Sequence, residues 1–160
     1  MGLAQACFDE ALARAKEREQ FGRSISEFQA VQFKLADMAM EIELARNTVL
    51  KAAWLKDQGR AFGREASMAK VFASEAAKRA ADQAVQIWGG EGFMEGSAVA
   101  RYWRQVKINE IGEGTSEINR QIIARSLLDE SAEEAKEKMV AKYPQCRSDA
   151  TTRAAGRALL

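Results

Sequence analysis

"VQFKLADMAMEIELARNTVLKAA", residues 31 to 53, decides the architecture. Val31, Leu35, Met38, Ile42, Ala45, Val49 and Ala52 alternate steps of four and three. That spacing puts them on one side of an α-helix. A half-buried strand would alternate at every second residue, and no such run interrupts the segment. The pattern predicts a helix from Ser26 to about Gln58, roughly 33 residues or about 50 Å long. Ser26 is read as its N-cap, with Gln29 three residues later as a capping-box partner. A long apolar seam of this kind belongs to a helix packed in a bundle.

The same period extends in both directions. Upstream, an amphipathic helix is predicted to about Gln20, stopping at "FGRS". Downstream, Ala66, Ala69, Ala73, Ala76, Ala80, Ala84 and Ile87 mark a third helix from Arg64 to Trp88, with small residues that let a neighbour approach closely. After the glycine cluster "GGEGFMEG" (89–96), a short helix is expected at Ala98 to Lys107. Thr115 or Ser116 then caps a last helix through Ile118, Ile122, Ile123 and Leu127. The periodicity decays beyond about Asp129. The expected organisation is a helical bundle over 1–130, then a helical extension to about Lys142 and a disordered end within 131–160. The fold class is all-α, an up-and-down four-helix bundle of long helices.

Composition narrows the functions. The 160 residues are 47% hydrophobic and 29% charged, a balance suited to one globular domain. A net charge of +1 argues against a dedicated nucleic-acid surface. No apolar run approaches the length of a membrane span. Cys7 and Cys146 lie far apart, without metal-site spacing, and read as free thiols in a reducing compartment. The absence of histidine removes Ser-His and Cys-His catalysis and most zinc sites. Acid–base chemistry would fall to a carboxylate, a lysine or a tyrosine.

Three stretches are candidates for chemistry. In "NEIGEGTSEINR" (109–120), Glu113 stands between Gly112 and Gly114, just before a helix start. Flanking glycines leave room for a substrate beside the acid, and the amides that follow can bind an anion or a polar ring edge. The acid would equally favour the helix dipole with no further role. "GGEGFMEG" fails as a G-x-G-x-x-G loop, because Glu95 stands at the third glycine and a helix precedes it. It reads as a helix C-cap and wide turn whose exposed amides could still hold an anion. Arg18 suits a helix C-terminus, or a phosphate clamp by its planar fork. Gln29, Gln32, Gln83 and Gln86 are polar exceptions beside apolar seams, and Trp54, Trp88 and Trp103 suit core or interface.

Taken together, "REQFGRSISEFQAVQFKLADMAMEIELAR", "QIWGGEGF" and "IGEGTSEINRQIIAR" resemble the C-terminal helical domain of the flavin-dependent acyl-CoA dehydrogenases, over about residues 2 to 128. The resemblance is nearest to short-chain and branched-chain members. It implies a subunit that also has an N-terminal helical domain and a middle β-domain, assembling as a dimer or tetramer through this bundle. It implies removal of an α-proton from an acyl-CoA thioester, transfer of a β-hydride to FAD, and passage of electrons to an electron-transfer flavoprotein, as in fatty acid metabolism. By position, Glu113 matches the catalytic base and Gly114 the adjacent substrate contact. Arg18 and Gln29 match residues that hold FAD, as does the segment Gln86, Ile87, Trp88, Gly89 and Gly90. Thr115, Ser116 and Glu117 match the FAD-contacting stretch after the base. Arg125 near the CoA end is a further match. No metal is implied, and the compartment is cytoplasmic, or the mitochondrial matrix in a eukaryote.

Two positions depart from the family pattern. Gly112 replaces the usual aromatic before the base, which implies a roomier acyl pocket for a branched or bulky chain. Arg104-Gln105 replaces an Arg-Asp pair, which implies the loss of one supporting salt bridge. The missing β-domain implies that the remaining domains, or a partner subunit, must complete the site. A stand-alone oligomerisation module without chemistry, and an oxidase-type relative of the same fold, are the competing readings.

Overall fold

The computed structural model describes residues 1–142. They fall into two compact units, Met1–Ile122 and a second that begins at Ile123. The predicted disordered end and Cys146 lie outside the described residues.

The first unit contains six helices and the start of a seventh: α1 (Gly2–Glu17), α2 (Gln29–Asp57), α3 (Gly63–Trp88), α4 (Gly90–Phe93), α5 (Ala98–Val106), α6 (Ile108–Ile111) and α7 (Ser116–Lys142). The described residues are all-α apart from one two-stranded hairpin, β1 (Glu19–Gln20) and β2 (Arg23–Ser24). The predicted seam holds: Met38, Ile42, Ala45 and Ala52 are buried on α2, Leu55 extends the row, and Val31 and Leu35 pack at its margin.

Helix α3 is central and packs against α1, α2 and α5. That explains why its buried face is wider than one seam. Besides Ala69, Ala76, Ala80, Ala84 and Ile87, it buries Ala77, Ala81, Val71, Ser67 and Ser74. Facing it, α1 contributes Ala4, Cys7, Ala11 and Ala15. Small side chains on both helices permit close approach, and the core is built from many small contacts. Polar bonds tie the edges: Lys34 Nζ to Gln83 Oε1 at 2.6 Å, and Arg79 Nε to Glu41 Oε1 at 2.7 Å, both between α2 and α3.

Three local expectations are corrected. The first helix ends at Glu17, not Gln20. Arg18 turns extended, and Glu19–Gln20 pair antiparallel with Arg23–Ser24 around Phe21-Gly22. Phe21 and Gly22 both take positive φ (55° and 77°), as a tight hairpin turn requires. Ser26 does not cap α2. Instead Ser24 Oγ accepts from the Ser26 amide at 3.3 Å and donates to the Ala15 carbonyl at 2.9 Å, so it holds a short 3-10 turn at Ile25–Glu27. Gln29 is the first residue of α2 and forms no capping box, since no side-chain bond caps that helix. The hairpin satisfies the end of α1 and leaves the 3-10 turn to lead into α2. Trp54 and Trp103 are about half exposed, and only Trp88 packs against the core.

Within the second unit α7 continues as a helix, with Ser131 Oγ donating to the Leu127 carbonyl at 3.0 Å. Leu127 and Leu128 are exposed.

Candidate functional site

The short link between α6 and α7 carries the most constrained backbone near the candidate acid. Gly112 donates its N–H to the Ile108 carbonyl at 2.7 Å and ends α6 in extended conformation. Glu113 and Gly114 follow, both left-handed, with φ of 56° and 86°. Glycine tolerates that region, whereas a glutamate there costs on the order of 1 kcal/mol or more. Such a conformation persists only where its surroundings impose it. Thr115 then starts α7: its Oγ1 accepts from the Ile118 amide at 3.3 Å, which fulfils the expected cap.

Glu113 is exposed. It lines a cleft of about 420 Å3 with Lys70, Ala73 and Ser74 of α3, Ile108 and Asn109 of α6, Gly112, and Met1. Glu113 and Gly112 are the sequence-predicted residues that share this cleft. Gln86 lines a different cleft of about 340 Å3 between α3 and α5, with Val85, Phe93 and Trp103 among its walls. Arg18 lies at the end of α1 and Gln29 at the start of α2, both exposed. Ile87 is buried, Trp88 donates its indole N–H to the Glu10 carbonyl at 3.2 Å, and Gly89 and Gly90 are exposed.

The start of α7 is polar and partly orphaned. Ser116 is buried, and its Oγ has no hydrogen-bond partner among the described residues. Glu117 is exposed. Hydrogen bonds from its own backbone N–H and then from the Thr115 hydroxyl hold its carboxyl below the usual range. Lys107 pairs with Glu110 at 2.5 Å, and that hydrogen bond raises the lysine's pKa. Arg120 pairs with Glu75 at 2.6 Å. Arg104 pairs loosely with Glu95 at 3.8 Å, on the exposed rim.

Two residues of the site were not found from the sequence. Lys70 Nζ donates to the Gly114 carbonyl at 2.5 Å, across 44 positions of sequence. Asn119 Nδ2 donates to the same carbonyl at 3.0 Å and to the Thr115 carbonyl at 3.1 Å. A lysine beside an alanine seam and an asparagine one turn after a cap were the available signals. Each also fits an ordinary helix surface.

The arrangement can present a carboxylate to a ligand in the cleft. It also offers an unpartnered buried hydroxyl, an exposed guanidinium and exposed glycine backbone to a polar cofactor. Among the described residues no group of three or more His, Cys, Asp or Glu could hold a metal. Among them, no helix is long and apolar enough to cross a membrane.

Comparison with known proteins follows the same boundaries. Residues 1–128 match the family model for the acyl-CoA dehydrogenase C-terminal domain. A probable acyl-CoA dehydrogenase, YngJ, of Bacillus subtilis (strain 168) is 64% identical over 128 residues, which are 80% of this chain and 34% of that protein. The solved butyryl-CoA dehydrogenase of Megasphaera elsdenii superposes with a TM-score of 0.78 at 46% identity, over 79% of this chain and 33% of that one. A solved FAD complex of PigA gives 0.75 at 33% identity, with the same coverage. The chain thus spans about a third of the length of the relatives it matches.

Proposed function

Since the chain belongs to the acyl-CoA dehydrogenase family, as its C-terminal helical domain, we propose that it supplies the catalytic base of an FAD-dependent acyl-CoA dehydrogenase. The observation that carries this reading is Glu113, held on a left-handed step at the wall of a cleft. The family's base falls on this residue by motif.

In this reading the Glu113 carboxylate receives the α-proton of an acyl-CoA thioester. That proton is weakly acidic, so the base must sit close and dry. Glu113 is exposed here; the other domains and the acyl chain would cover it and strengthen it as a base by desolvation. Gly114 leaves space for the thioester, and Gly112 leaves space for a branched or bulky acyl chain. FAD, when bound, supplies the electron-accepting chemistry. Arg18, Gln29 and Gln86 to Gly90 would hold it, together with Thr115, Ser116 and Glu117. The unpartnered Ser116 hydroxyl supports this assignment, because a buried hydroxyl without a bond costs stability until something satisfies it. An electron-transfer flavoprotein would be the electron acceptor, in a reducing compartment such as the cytoplasm.

The test is Glu113→Gln in the flavoenzyme that contains this domain. Flavin reduction by acyl-CoA is expected to slow by about a hundredfold or more. A parent-like rate would refute the assignment.

A second reading rests on the exposed apolar side chains of α2: Phe33, Met40, Leu44, Leu50 and Trp54. It makes the chain an oligomerisation module without chemistry. A yellow complex with FAD that bleaches on adding acyl-CoA would defeat that reading. Rapid reoxidation by oxygen would mark an oxidase-type relative.

A further inference from the structure

We propose that Lys70 and Asn119 form a two-donor clamp on the Gly114 carbonyl, which fixes Glu113 in its left-handed conformation and so makes both of them positioning residues for the base. The proposal rests on the assignment of Glu113 above, and it deepens that assignment by naming what aims the acid.

The carbonyl of Gly114 accepts from Lys70 Nζ at 2.5 Å and from Asn119 Nδ2 at 3.0 Å. The donors arrive from different elements, α3 and α7. Asn119 is buried, so its amide is committed to these bonds. It also donates to the Thr115 carbonyl at 3.1 Å. A carbonyl held by two donors fixes the plane of the 114–115 peptide. That fixes the far end of the link, while the Gly112 N–H, bonded to the Ile108 carbonyl at 2.7 Å, fixes the near end; Glu113 at φ 56° and Gly114 at φ 86° span the two anchors. With both ends held, a glutamate can stay in a region it would otherwise leave.

Gly114 is fitted to the clamp. A Cβ there would lie 3.2 Å from Asn119 Nδ2, so the asparagine occupies the side a larger residue would crowd. Lys70 lines the same cleft as Glu113. Its ammonium therefore anchors the loop to α3, the central helix of the bundle, and ties the acid's position to the most buried element. Small errors in the placement of a base are costly for proton transfer, which is why such a clamp bears on rate rather than on substrate affinity.

The experiment has two arms. In the 160-residue chain, Lys70→Met and Lys70→Arg are compared by NMR, with helix content checked by circular dichroism. Lys70→Met is expected to shift the Gly114 carbonyl carbon and to change the Glu113 amide–Hα coupling, while Lys70→Arg restores both. Unchanged signals in a folded Lys70→Met chain would overturn the clamp whatever the activity. In the flavoenzyme that contains this domain, Lys70→Met and Asn119→Leu are each expected to lower kcat about ten- to a hundredfold. KM for acyl-CoA should stay within about twofold, and Lys70→Arg should recover most of the loss. Equal changes in kcat and KM, or no rescue by arginine, would reduce the pair to a structural contact. Failure of Glu113 itself is read separately: a Glu113→Gln enzyme at the parent rate removes the base but leaves the NMR result standing.

Discussion

Glu113 and Gly114 show how one glycine can be required twice. Gly114 needs positive φ, and it needs an absent Cβ beside Asn119. Gly114→Ala is therefore expected to destabilise the chain by about 1–3 kcal/mol, read as a lower urea midpoint. An unchanged midpoint would mean that the link relaxes freely. Cys7 offers a residue-scale prediction of another kind. Burial, and then the charge of Glu10, push its thiol from 9.0 up to about 11. The neutral thiol is thus favoured in the folded state. Its contribution is complete below the unfolded pKa and is lost as pH rises from about 9 towards 11. Urea titrations at increasing pH should show a steeper alkaline loss for the parent than for Cys7→Ala. Parallel losses would count against the burial of the thiol.

At the scale of elements, the alanine faces of α1 and α3 set the tolerance of the core. Ala80 is 1% exposed and sits in the contact of α3 with its neighbours. Ala80→Leu should overpack that contact and cost about 1–3 kcal/mol. Ala61→Leu, at an exposed position before α3, should be nearly neutral. Thermal melts of the two variants check this, and equal melting temperatures would contradict tight packing along α3. The same elements show what the sequence made legible. The periods of α2 and α3 were readable because burial acts on every turn, and their spans followed to within about three residues. The end of α1 was not readable. Its stop depends on Ser24 reaching back nine positions to the Ala15 carbonyl, a bond that exists only once the hairpin has formed. Ser26 looked like the better cap because capping rules weigh neighbours in sequence, and Ser24 had already taken the role. The motif around Glu113 was legible as a motif. Lys70 was not, since it meets Gly114 only when α3 and the α6–α7 link are brought together.

At the scale of the whole molecule, apolar side chains remain in solvent along one helix. Phe33, Met40, Leu44, Leu50 and Trp54 lie on α2 and are each more than half exposed. Soluble monomers seldom leave so many large apolar groups in one helix uncovered. A dimer or tetramer is the expected state by sedimentation velocity, and a monomer at micromolar concentration would contradict it. Burial of such apolar groups is not screened by ions, so added sodium chloride should leave an oligomer formed through them nearly unchanged.

Gly112 has a different meaning from its neighbour. Its φ of −68° and ψ of 155° suit any residue, so its backbone does not demand glycine. The space beside it is tight against backbone: a Cβ would stand 3.2 Å from the Ile108 carbonyl, the group that accepts the Gly112 N–H. A side chain grafted at this wall of the cleft therefore presses first on that carbonyl of α6, which must give by a few tenths of an ångström. An engineer who grades the cleft by size at Gly112 would thus also be moving the hinge on which the neighbouring acid hangs.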